Sequence, residues 1–173
     1  MSETSNFKSL EFVKEFIANS NEIFDKDIDD SQKKKQASDL IETYFDVKGI
    51  GLYSLGKYRK SFKKNEIKEY NLLFKKYFVI NLNKRIHKFS KNRSVESEKV
   101  LNKNYTLVTS FRNNEPKVEW RVYTKNSKKL KIRDLIFNNL SLARTHKAET
   151  EKFLKENSSN PEKLFVWLKK MIQ

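Results

Sequence analysis

The 173-residue sequence has no cysteine, three glycines, two prolines and two histidines. Without cysteine there are no disulfides, no thiolate metal ligands and no cysteine nucleophile, while the compartment stays open, because a disulfide-free protein can live anywhere. His87 and His146 stand far apart with no HExxH spacing, and no serine lies in a GxSxG context. Gly49 and Gly51 begin a GxGxxG pattern, but Ser54 takes the third position and no strand leads in, which argues against a nucleotide loop. Asp25, Asp27 and Asp29 follow calcium-loop spacing, yet Asp30 stands where the turn needs glycine and Gln36 where the bidentate glutamate belongs. Other carboxylates lie mostly beside lysines, as on solvated helix faces, and nothing singles out a catalytic pair. The sequence advertises neither an enzyme site nor a metal site. No apolar run approaches the ~20 residues of a membrane span.

Large rings and positive charge are what the chain has in quantity. Thirteen Phe, seven Tyr and two Trp bring the aromatic content to 13%, which favours a folded unit with a core of few, large side chains. Its length suits a single domain over residues 1–173. The net charge is +15, implying attraction to nucleic acid, an anionic lipid surface or an acidic partner. Lysine is scattered over nearly every segment, so charge alone does not choose among them. No KGFGFV-like segment occurs, and Arg112, Arg121 and Arg133 form no RNA-binding motif. A basic nucleic-acid-binding module is therefore an alternative that rests on charge alone, and a small enzyme a weaker one.

Periodicity gives the order of elements. Phe7, Leu10, Val13, Phe16, Ile17 and Phe24 predict a helix over 6–24, with Ser5 or Ser9 as cap. Asp30 or Ser31 caps a second helix over 33–44, and Asp46 a short third one ending at a left-handed Gly56. Glycines within that short helix point to close packing or a flexible turn. The stretch 61–89 reads as a long helix whose apolar face, Tyr70, Leu73, Phe74, Tyr77 and Phe78 onward, is wide enough to be enclosed on several sides. His87, among Lys84, Arg85 and Lys88, reads as a surface residue. From residue 94 to 137 the period shortens to two: an edge strand over 94–102, then 105–112, 117–125 and 129–137, an antiparallel meander turning at Asn113–Asn114 and at 126–128. Alternation assigns Tyr105, Leu107, Phe111, Val118, Trp120, Val122, Leu130 and Ile132 to one face, and Thr106, Ser110, Glu119, Arg121, Lys131 and Arg133 to a wet one. Two helices close the chain within 140–172, capped by Asn139 or Ser141 and by Asn160. Helices over 6–89, a sheet over 94–137 and C-terminal helices make an α+β class in which helices cover one face of a curved four-stranded sheet.

The segment YFDVKGIGLYSLGKYRKSFKKNEIKEYNLLFKKYF resembles part of the MlaC-type, or toluene-tolerance, phospholipid carriers of Gram-negative periplasms, through Tyr44, Phe45, Asp46, Leu55, Gly56, Tyr58, Glu69, Tyr70 and Phe74. Downstream, VEWRVY and LKIRDLIFNNLSLARTHKAE continue the likeness, with Asp134, Ser141 and Leu142 matching. Lys63 and Lys64 stand where the family has a Thr or Ser cap followed by proline. Leu130 replaces a tryptophan, His146 a tyrosine and Lys147 an arginine.

This resemblance implies a nuclear-transport-factor-like fold around an apolar pocket for acyl chains. The implied protein is a periplasmic, non-enzymatic, monomeric shuttle in an Mla-type system that maintains outer-membrane lipid asymmetry, with no cofactor other than bound phospholipid. Its implied partners are an outer-membrane lipoprotein with a porin and an inner-membrane ABC transporter with an MCE-domain subunit, met in transient contacts. A hopanoid or other lipid is the alternative cargo, and nucleic acid is not an expected partner. MSETSNF carries no basic and apolar leader, so the periplasmic reading expects one to have been removed. The expected pocket comprises Leu52, Leu55, Tyr70, Leu73, Phe74, Tyr77, Phe78, Leu107, Phe111, Val118, Trp120, Val122, Ile132 and Leu142. Arg59, Lys60, Arg144 and Lys147 are expected near the headgroup.

Overall fold

Apolar residues at helical spacing and then at strand spacing fold as the patterns require. The computed structural model describes residues 7–173. Helices α1 (Phe7–Asp25), α2 (Asp30–Tyr44) and α3 (Val47–Ser54) lead through a 3-10 turn (Gly56–Ser61) into α4 (Lys64–Ser90). Strands β1 (Ser94–Asn102), β2 (Tyr105–Phe111), β3 (Val118–Tyr123), β4 (Lys131–Phe137) and the short β5 (Leu140–Ser141) follow, then α5 (Leu142–Glu156) and α6 (Pro161–Ile172). The sheet is antiparallel throughout, in the order β1-β2-β3-β4-β5. It has one strand more than expected: Asn138 and Asn139, both at positive φ, make a two-residue turn that folds Leu140 back onto Phe137.

The caps follow the physics of helix ends. Asp29 rather than Asp30 or Ser31 begins α2, its Oδ1 accepting from the Gln32 N–H at 2.8 Å. Ser141 and Asn160 cap α5 and α6. Ser5 lies outside the described residues, and Ser9 is buried within the first turn of α1; there Glu98, reaching from β1, accepts the Leu10 N–H at 3.0 Å. Lys63 cannot accept a hydrogen bond at the start of α4, and the Glu66 carboxylate alone reaches back to its N–H at 2.7 Å.

Trp120, Val118 and Val122 of β3 face α1, α4 and the end of α2, where Phe16, Phe74, Phe78 and Phe45 join them in one contiguous core. The facing residues of β2 are Thr106, Val108 and Ser110, which the register places opposite Val122, Trp120 and Val118. This corrects the face assigned from the sequence. Tyr105, Leu107 and Phe111 lie on the other side of the sheet, because the small polar residues of β2 are the ones that fit under the Trp120 ring. Ser110 supplies the acceptor that a buried indole needs, its Oγ taking the Trp120 Nε1–H at 2.9 Å. Gly51 is where α3 comes closest to α4: a Cβ there would stand 2.7 Å from Phe74 Cδ1, and the Tyr70 hydroxyl donates to the Gly51 carbonyl at 2.9 Å. His87 is half-buried rather than on the surface, stacked on Phe24 with centroids 4.2 Å apart.

A cationic cleft between the sheet and helices α3 and α5

The functional candidate lies on the sheet face turned away from the aromatic core. Strand β4 carries a bulge: Arg121 pairs with Asp134, while Val122 pairs with Ile132. Arg133 is thus the extra residue, and it joins Asp134 on the same side as Arg121 instead of alternating with it. Phe45 bridges to Ile132, and the Asp46 N–H donates to the Ile132 carbonyl at 2.9 Å, so the start of α3 is moored beside the bulge.

Asp46 works in two directions. Its Oδ1 accepts the Gly49 N–H at 2.9 Å, capping α3, and its Oδ2 accepts Arg133 Nε–H at 2.7 Å. The same guanidinium donates to the Tyr105 hydroxyl at 2.9 Å and lies 3.6 Å from the centre of the Tyr123 ring. Burial opposes its charge, but the bonds to Tyr105 and Asp46 outweigh that and hold its pKa above the ordinary arginine value. Asp134, itself buried, spends its acceptors on the Leu135 and Ala143 N–H groups and the Ser141 hydroxyl, which fixes the start of α5 against β4.

Between these moorings is a cleft of about 520 Å3, within the range of small-molecule sites. Ile50, Leu52 and Tyr53 of α3 and Ala143 of α5 give it apolar walls, and Arg59, Arg121, Arg133 and Arg144 converge on it. The lining thus sets four guanidiniums, the Tyr53 and Tyr105 hydroxyls and Asp134 against apolar surface. A wider and more open groove, about 800 Å3, runs between α1 and the turn before β4, lined by Phe12, Leu130 and six lysines or glutamates, Lys131 of β4 among them. It lacks the converging guanidiniums.

The expected pocket residues separate into three groups. Leu52, Arg59 and Arg144 line the cleft. Leu55, Tyr70, Phe74, Tyr77, Phe78, Val118, Trp120, Val122 and Ile132 are buried in the core, with Leu73 and Leu142 packed at its margin. Leu107 and Phe111 stand on the outer sheet face, Leu107 directly opposite Arg121. Lys147 approaches the cleft only through Tyr53, its Nζ 5.1 Å from the ring centre, while Lys60 points from the exposed 3-10 turn. Sequence reasoning missed Asp46, Tyr105, Arg121, Arg133 and Asp134 as members of one site. Alternation sends Arg133 and Asp134 to opposite faces, and the bulge that unites them has no residue signature.

Among the described residues no group of His, Cys, Asp and Glu stands close enough to hold a metal ion, and no helix is long and apolar enough to cross a membrane. The cleft combines apolar walls with converging guanidiniums. The model of the family described as MlaC protein matches residues 11–170, and the chain belongs to that family. A phospholipid-binding protein from Ralstonia solanacearum, solved in complex with a phospholipid, shares the fold with a TM-score of 0.73 at 15% sequence identity, over 97% of this chain and 96% of its own. No curated protein sequence matches the chain.

Proposed function

We propose that the protein binds a phospholipid and carries it through the periplasm between the outer and inner membranes, as a binding protein and not an enzyme. The observation that carries the reading is the cleft itself, in a chain of this family: apolar walls from α3 and α5 beside converging arginines, the two chemistries that an acyl chain and a phosphate require. Exposing an acyl chain costs ~0.8 kcal/mol per methylene, so a lipid with roughly thirty of them faces a barrier on the order of 20 kcal/mol in water. A carrier must hide its tails and release them only when docked.

Leu52 of α3 supplies apolar wall inside the cleft, and Leu107, opposite Arg121 on the outer sheet face, adds apolar surface beside it. The docking partners of this reading are an outer-membrane lipoprotein and porin and an inner-membrane ABC transporter with its MCE-domain subunit, and the +15 charge speeds encounter with anionic surfaces. Leu52→Glu tests it, because the side chain is half-buried in the cleft wall rather than in the core. A folded Leu52→Glu protein that no longer takes lipid from vesicles supports the reading. Wild-type loading by that variant overturns it.

A further inference from the structure

Four guanidiniums give the cleft an excess of hydrogen-bond donors. The arginine ion pairs of the described residues are those of Arg93 and Arg112 with Glu115, and of Arg133 with Asp46. Arg59, Arg121 and Arg144, which share the cleft with Arg133, are in none of them. Arg121 is the most telling of the three. It is half-buried on the central strand β3, opposite Asp134 in register, yet that carboxylate is turned to Ser141 and the start of α5. Arg121 Nε is shut off from solvent with no acceptor. A buried donor left unpaired is costly, and a guanidinium in such a place is a fork awaiting an anion.

The acids nearby are already engaged by the protein's own donors. Both oxygens of Asp46 are engaged, one by the Gly49 N–H and the other by Arg133. Asp134 Oδ1 accepts two backbone N–H groups and Oδ2 the Ser141 hydroxyl. The Tyr105 oxygen already accepts from Arg133. Taking the four cleft arginines against Asp46 and Asp134, two positive charges are left over (4 − 2). One anionic phosphate answers half of that excess, and a headgroup that adds an ammonium restores it.

We infer that the cleft is a phosphate-reading headgroup site that selects anionic phospholipids over zwitterionic ones, with Arg121 as the specificity-determining residue. This rests on the lipid-binding reading above and deepens it. Phosphatidic acid, with a monoester phosphate, and phosphatidylglycerol, with a diester and no amine, are the lipids the cleft suits; the ammonium of phosphatidylethanolamine adds to an excess of positive charge already there. A free phosphate shares the recognised chemistry but lacks tails for the walls formed by Ile50, Leu52 and Tyr53.

The test is competitive loading of the full chain from vesicles containing equal amounts of phosphatidic acid, phosphatidylglycerol and phosphatidylethanolamine, followed by re-isolation and quantification of the bound lipid. The expected result is about tenfold enrichment of the two anionic classes, the scale of one charge-assisted hydrogen bond. Arg121→Gln is expected to cut loading of the two anionic classes far more than that of phosphatidylethanolamine and so to abolish most of the enrichment, and Arg121→Lys to restore part of it. General attraction of a +15 protein to anionic vesicles survives the loss of one charge, so enrichment that persists in Arg121→Gln overturns the assignment. So does loading in equal proportions by the wild type. Inorganic phosphate, balanced with chloride for ionic strength, is expected to leave the loading unchanged; displacement of lipid by phosphate would make this a free-phosphate site and overturn the inference. Absence of every lipid class would instead overturn the carrier reading on which it rests.

Discussion

Arg133 donates to Asp46 at 2.7 Å across 87 residues of sequence, joining the bulge of β4 to the cap of α3. One carboxylate thereby serves a helix end and a guanidinium at once. Asp46→Ala removes both and is expected to cost roughly 2 kcal/mol in urea unfolding, the sum of a lost cap and a partly exposed ion pair. Asp46→Asn keeps a capping oxygen and should cost less than half as much. Equal losses for the two would show that the cap contributes nothing.

Gly51 sits inside a helix, where alanine ordinarily gains ~1 kcal/mol. Here the added Cβ would meet Phe74 Cδ1 at 2.7 Å in a buried contact. Gly51→Ala is expected to destabilise by roughly 1 to 3 kcal/mol, as overpacking does. A rise in the thermal midpoint would mean that α3 and α4 are not held this close.

The Ser110 hydroxyl accepts from Trp120 and itself donates to the Val118 carbonyl at 3.3 Å. Ser110→Ala strands a buried indole N–H and should cost roughly 1 to 3 kcal/mol. In a double-mutant cycle with Trp120→Phe, the second change should lose most of its effect, because the group left unpaired has been removed. Strict additivity would exclude the bond.

His146 sits edge-on to Phe74 and Tyr77, near Phe78, with Arg85 close enough to oppose its protonation and Glu149 4.0 Å away. Burial, helped by Arg85, pushes its pKa down to about 4. Between the ordinary pKa of about 6.5 and the folded value, the unfolded chain takes up a proton that the folded chain refuses. Stability should therefore fall with pH through that window, by up to about 3 kcal/mol from this group, and be indifferent to it above. His146→Phe should flatten the fall between pH 6.5 and 4, leaving the smaller contribution of His87, whose pKa is also lowered, chiefly by burial. An unchanged profile in His146→Phe would place the effect elsewhere.

Elements whose signal is local were legible in the sequence. The long α4, with Tyr70, Phe74, Tyr77 and Phe78 on its buried face, follows from spacing alone, as do the caps Asp46 and Asn160 and the left-handed Gly56. The family was legible too, through Tyr44–Asp46 and the Asp134–Leu142 segment. What was hidden depends on partners distant in sequence. Thr106 and Ser110 look like solvent residues until Trp120 needs a hydroxyl beneath it, and then Leu107 and Phe111 must take the outer face. Arg133 and Asp134 share a face only because of a bulge set by pairing with β3. Long aromatics at helical spacing are equally good as core or as pocket wall, which is why Phe74 and Trp120 were expected in a pocket and lie instead in close-packed surroundings.

The most direct test of the lipid-carrier account is native mass spectrometry of the protein purified from a Gram-negative periplasm, with organic extraction and analysis of whatever accompanies it. The account predicts one phospholipid per chain, lost in Leu52→Glu. A bare protein that takes up no lipid from vesicles, even with its membrane partners present, would contradict it.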